Sequence, residues 1–317
     1  MTTRSTPALL WLAASALPLP SLTAQQLIVT TDTGCDCVVG FSPIDGSFVS
    51  SQIPIDDMVQ VCAIQVDDEV WVSQQIGDRI QRYDVCGNFL GAIGPTFPGG
   101  GLDNVRGLYY SGGIVYACND GANNGATADS LVTFDPAGNW LATYPLTGIN
   151  SPFGVLPFQG GLLVSGSSGL DDVHRYTLTG VSLGTLHNSS SVNFAHQLHP
   201  ASDGNVWCAA SSSNNIVKLD ATTGAILTNI PANSARGVHE LANGNLLWAG
   251  SGGVYVYDPV TMLSTQVYVG QNCYQLNLVD RSFACHERFG TGCHDFFVAD
   301  NSNLFELFAT IADGKAA

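Results

Sequence analysis

Basic residues are scarce in this chain. Only 10 of its 317 residues are lysine or arginine, against 26 aspartates and glutamates, for a formal net charge of −16. Such a surface repels phosphate backbones and anionic lipid, so nucleic acid is excluded as a partner. Long apolar runs are also missing. No segment after the first two dozen residues approaches the ~20 apolar residues that a membrane-spanning helix needs. Nine cysteines are too few to staple a fold of this size, so its core must come from apolar burial. No stretch carries a signature for a specific reaction.

The N-terminus has a different character. Arg4 precedes the apolar run "PALLWLAASALPLP", and Leu22-Thr23-Ala24 follows with small residues. That order of charge, apolar stretch and small-residue site reads as a secretory signal peptide over 1–24. The expected location is periplasmic or extracellular, as for a secreted bacterial protein, and it permits disulfides.

What is abundant is turn chemistry. "VDDEVWV", "SDGNVWC" and "ANGNLLW" each place a short polar turn before an apolar strand, and "SGGIVYA" and "QGGLLVS" do the same with Gly-Gly. Such pairs favour the tight turns whose twist matches that of the flanking strands, so each is a hairpin. A second hairpin follows each one, as in "RIQRYDVCGNFL" and "VHRYTLTGVSL". When the strand before each first turn is aligned, one position reads Gln60, Arg106, Phe153, His196, Arg236 and Gln275. Three residues earlier stand Asp57, Asp103, Asn150, Asn193, Asn233 and Asn272. Successive aligned residues are 39 to 47 apart. A four-stranded unit with that period is a propeller blade, because closing the units into a ring buries both faces of each sheet.

The expected fold is therefore all-β, a six-bladed β-propeller over 25–280. Its first blade, built from "LIVTTD", "VVGF" and "SFVSSQI", lacks one strand. The strand at 274–279 should supply it beside Leu27–Thr31, a clasp between the chain ends. Residues 281–317 form a Cys-containing tail or the start of a further domain.

The units "NSPFGVLPFQGGLLVSG" and "NFAHQLHPASDGNVWCAA" resemble blades of the NHL, SMP-30/gluconolactonase and streptogramin-lyase propellers. The resemblance implies the fold and two functional expectations. The first is a non-catalytic, monomeric propeller that binds a small ligand or an extracellular protein at its channel rim. The alternative is a metal-dependent hydrolase or lyase. The lactonases hold a divalent metal with ligands that include a glutamate, and this chain has none at the matching position. The lyases need a histidine base, for which His196 is the aligned candidate.

Strand starts reach a propeller's central channel, so Gln60, Arg106, His196, Arg236 and Gln275 are the expected rim ligands, with the arginines suited to an anion. The Asx set, Asp57, Asp103, Asn150, Asn193, Asn233 and Asn272, has two readings. One is turn residues bonding their own backbone. The other is an oxygen-ligand site for Ca²⁺ or another divalent cation. The loops Asn119–Asp129 and Gly166–Asp172 carry the same question. Among the cysteines, Cys285 and Cys293 suit a disulfide, and Cys273 in the clasp could pair with Cys35 or Cys37. Cys208 reads as a buried free thiol.

Overall fold

The structure is a computed structural model, and it describes residues 26–280 apart from 56–58 and 169–171. Six four-stranded antiparallel sheets follow one another around a ring. Blade 2, for instance, runs outward through Gln60–Val66, Glu69–Gln74, Arg79–Asp84 and Phe89–Ile93. The innermost strands of blades 3 to 6 are Val105–Ser111, Pro152–Phe158, Ala195–Pro200 and Gly237–Glu240. A small extra hairpin, Thr96–Phe97 with Gly100–Gly101, lies between blades 2 and 3.

Burial follows radius. The second strands are buried nearly throughout, as in Glu69–Gln74, Val206–Ala210 and Leu246–Gly250. The outermost strands are exposed along most of their length, as in Phe89–Ile93 and Ser182–His187. Alternate residues of the buried strands face opposite neighbours, so the cores lie between blades. Trp71, Ile80, Leu108 and Phe134 fill the space between blades 2 and 3. Ala209, Ile216, Val238 and Trp248 do so between blades 5 and 6. Each fully buried side chain of this size contributes roughly 1.5–3 kcal/mol of transfer free energy. This packing of sheet on sheet is what holds the ring together.

Blade 1 closes the ring with both chain ends. Its order is Asn277–Asp280, Gln26–Asp32, Cys37–Phe41, Phe48–Pro54. The closing strand is shorter than the expected 274–279: Val29 pairs with Asn277 and Gln26 with Asp280. Nearer the channel mouth a single bridge joins Asp32 to Cys273. Residues 274–276 leave the ladder between these points and serve the channel instead.

The expected bond from Cys273 to Cys35 or Cys37 is not made. Cys35 is joined to Cys37, with Cα atoms 5.3 Å apart, and Cys273 is a buried free thiol. The register explains this: Asp32 pairs with Cys37 on one side and Cys273 on the other. The two cysteines therefore stand two strands apart, roughly 9–10 Å at normal sheet spacing, beyond disulfide reach. Cys208 is buried and free, like Cys62 and Cys118. Cys285 and Cys293 lie outside the described residues.

Candidate site at the channel mouth

The innermost strands place one residue each at the mouth of the channel by a shared device. In blade 4, Pro152 pairs with Gly166 but Gly154 with Ser165, so Phe153 is an extra residue in a β-bulge. Blades 3 and 5 break register at the same place, around Arg106 and His196. A bulge turns the side chain out of the alternating pattern and re-aims it. Two residues earlier the backbone is left-handed: Asn104, Ser151, Phe194 and Ser234 have φ between 53° and 59°.

This device corrects the sequence alignment at its ends. In the closing blade the left-handed residue is Asn272, which makes Tyr274 the equivalent of Arg236, not Gln275. The backbone agrees, since Tyr274 N–H bonds Thr31 as Arg236 N–H bonds Ala249. In blade 2, Gln60 pairs with Gln74 and Cys62 with Ser73, so Val61 is the extra residue, not Gln60. Ser73 accepts the Cys62 N–H just as Ser165 accepts that of Gly154. The ring at the mouth is thus Val61, Arg106, Phe153, His196, Arg236 and Tyr274.

One layer deeper, the ring reads Cys62, Gly107, Gly154, Gln197, Gly237 and Gln275. The glycines stand against the next blade's backbone: a Cβ on Gly107, Gly154 or Gly237 would lie 2.4, 2.3 or 2.3 Å from the carbonyl oxygen of Phe153, His196 or Tyr274. The two glutamines fill the space the glycines leave. Gln275 places Nε2 2.8 Å from where a Gly107 Cβ would stand. Gln197 takes the N–H groups of Val238 and Leu276, both at 2.9 Å, and donates to the Leu276 carbonyl at 2.6 Å. It ties blades 5, 6 and 1 together across the channel. Gln60 and Gln275, both expected as rim ligands, are buried.

The two arginines at the mouth have different surroundings. Arg106 is consumed by its neighbours. Nη2 meets Asp120 at 2.8 Å, Nη1 bonds the hydroxyls of Ser151 and Ser167 at 2.8 and 2.9 Å, and the guanidinium lies 5.1 Å over the Phe153 ring. Arg236 is half-buried, and among the described residues its guanidinium has one hydrogen bond, from Nη1 to Asn272 Oδ1 at 2.8 Å. It stacks 4.5 Å over Tyr274, and its buried Nε has no partner. Among the described residues no carboxylate pairs with it.

His196 sits between them, 2 % exposed. Its ring lies 3.9 Å from that of Phe153, 4.8 Å from Phe194 and 6.1 Å from Tyr274. Nε2 meets the Ser211 hydroxyl at 3.1 Å, and Nδ1 is buried without a partner. Burial holds its pKa well below the usual histidine value, and the charges of Arg236 and Arg106 add to the effect. It is neutral at pH 7.

This has a measurable sign. A histidine whose folded pKa is depressed binds fewer protons in the folded state than in the unfolded one. Its contribution is present above the unfolded value of 6.5 and is lost as pH falls below it. The loss is at most about 1.4 kcal/mol per pH unit. Thermal unfolding at pH 7 and pH 5, compared between the native protein and His196→Gln, should show the variant less sensitive to acid. Equal pH dependence would contradict the assignment.

The described members of the Asx set have separate surroundings. Asp103 Oδ2 accepts the Asn123 N–H at 2.6 Å, while Asn119 Oδ1 takes the Asp103 N–H at 2.7 Å. The exposed Asn193 supplies a backbone carbonyl to Ser212, and Asn150 supplies one to the Ser168 hydroxyl. Asn233 is exposed, and Asn272 serves Arg236. Asp57 lies outside the described residues. The 119–129 loop is tied to its own blade and to the entry of the next by its own carboxylates. Asp120 holds Arg106 and the Asn104 amide, and Asp129 takes the Ser151 N–H at 2.6 Å. Within 166–172, Ser167 serves Arg106. Among the described residues, no three of His, Cys, Asp and Glu come together as a metal-holding group.

No family profile and no curated protein matches the sequence. Solved structures do match in shape. A chain of a nidogen/laminin complex aligns with a TM-score of 0.67 at 12% identity, over 80% of this chain and 98% of that one. A protein of unknown function from Bacteroides caccae gives 0.60 at 12% identity, over 81% and 99%. A catalytically inactive virginiamycin B lyase from Staphylococcus aureus, solved with quinupristin, gives 0.53 at 16% identity, over 78% and 86%. The likeness to NHL and streptogramin-lyase propellers holds at the level of the fold.

Proposed function

We propose that this chain is an exported, non-catalytic β-propeller that binds an anionic group at its channel mouth, with Arg236 as the recognising cation. The carrying observation is the contrast between its two arginines. Arg106 has an acidic partner and two hydroxyls, whereas Arg236 has one amide and a ring beneath it. In a protein of net charge −16, an arginine left without a carboxylate among the described residues is an open anion position. The group it suits is a carboxylate, either on a free small molecule or on a protein side chain. Export rests on the N-terminal signal pattern.

Binding is favoured over chemistry by the state of His196. The lyase-type alternative would use this imidazole as a base, yet it is buried beneath Phe153 and Phe194, with its Nδ1 shut in. Titration calorimetry with acetate or succinate tests the proposal. Arg236→Gln should weaken binding roughly tenfold to a hundredfold, the range of a charge-assisted hydrogen bond, with Tm unchanged. Undiminished affinity in that variant would remove the basis of the reading.

A further inference from the structure

The left-handed position two residues before the mouth ring is occupied by Asn104, Ser151, Ser234 and Asn272 in four blades and by Phe194 in a fifth. Asparagine tolerates this conformation because its short polar side chain bonds locally. A bulky aromatic at positive φ is an outlier, and such strain is kept where the surroundings or a function demand it. Phe194 has φ 59° and is only half-buried, so burial does not account for it. Its ring stands 5.9 Å from Phe153 and 4.8 Å from His196. His196 is the histidine on whose pKa the Arg236 charge acts, and whose buried Nδ1 has no partner.

Phe194 and Arg236 are thus joined by one run of ring contacts: Phe194 lies 4.8 Å from His196, His196 6.1 Å from Tyr274, and Arg236 4.5 Å over Tyr274. The Tyr274 ring lies under the cation. We propose that Phe194 is a specificity residue of the mouth, and that the ligand is a carboxylate carrying a flat apolar group, which packs on Phe194 while its charge meets Arg236. This rests on the anion-binding reading of Arg236 and narrows it. Rings stack well on rings and leave the carboxylate free to bond, whereas a bare anion gains nothing from Phe194.

The test uses acetate and phenylacetate as probes on the whole protein, by calorimetry or NMR titration. The native protein should bind phenylacetate roughly threefold to tenfold more tightly than acetate, the range of one aromatic contact. Phe194→Asn places a residue suited to the backbone. It should abolish that preference and leave acetate binding and Tm undiminished. Arg236→Gln should weaken both probes. Equal affinity for the two probes in the native protein, or a preference that survives in Phe194→Asn, overturns the role of Phe194 but not of Arg236. A Tm several degrees lower in Phe194→Asn would show the ring to be a packing element and also overturns it. If neither probe binds, the mouth reading fails as well.

Discussion

Gln197→Leu should lower the melting temperature by about 10 °C or more. The side chain is 4 % exposed and satisfies three backbone groups: the N–H of Val238, the N–H of Leu276 and the carbonyl of Leu276. Leucine keeps the bulk and removes every partner. Two N–H groups and one carbonyl then remain inside without a hydrogen bond, each costing roughly 1–3 kcal/mol. Three such groups total roughly 3–9 kcal/mol, and the middle of that range, about 6 kcal/mol, corresponds to a fall of roughly 12–24 °C at the roughly 2–4 °C per kcal/mol typical of large domains. The damage has a location. Blade 1 is held by the short ladder Asn277–Asp280 and one bridge at Cys273, and Gln197 bonds the stretch between them. Amide exchange at Leu276 and Val238 should therefore accelerate more than exchange in blades 3 and 4. A uniform change around the ring would contradict this role for Gln197.

Arg106→Ala should be the second large effect, and its character should differ from that of Arg236→Gln. Arg106 is 6 % exposed and meets Asp120, Ser151 and Ser167. Removing one partner of a largely buried ion pair strands the other, at a cost of roughly 3 kcal/mol. That is roughly 6–12 °C in Tm for a domain of this size. The 119–129 loop should loosen, since Asp120 reaches the blade through Arg106 and Asn104. Limited proteolysis of the native protein and the variant would show cleavage within that loop only in the variant. A variant with unchanged Tm and an uncut loop would mean that Arg106 is not architectural.

The blades were legible because the turns that build them are chemical. Asp-Gly, Asn-Gly and Gly-Gly pairs mark the hairpins, and the even period marks the ring. The mouth was legible in its middle repeats, where Arg106, Phe153, His196 and Arg236 align without gaps. It slipped by one at each end, to Gln60 and Gln275. Two glutamines look alike in sequence, while the bulge that selects Val61 and the left-handed Asn272 that selects Tyr274 belong to the backbone. The division of labour between the arginines was not legible. It depends on where the 119–129 insertion folds back, and nothing local to Asp120 announces its partner. Glycines 107, 154 and 237 did align. Their reason is the neighbouring blade's carbonyl, which only the closed ring supplies. Phe194 had a faint signal: the matching residues of blades 3, 4 and 6 are Asn104, Ser151 and Ser234, the residue types of left-handed turns.

Arg236, and not Arg106, should receive the ligand's negative charge. The most direct measurement follows the arginine Nε–Hε resonances of the two residues by NMR during titration with phenylacetate. The Arg236 signal should show a saturable shift while that of Arg106, held by Asp120 and the serines, stays in place. A shift confined to Arg106, or none at Arg236 while ligand binds, would contradict it.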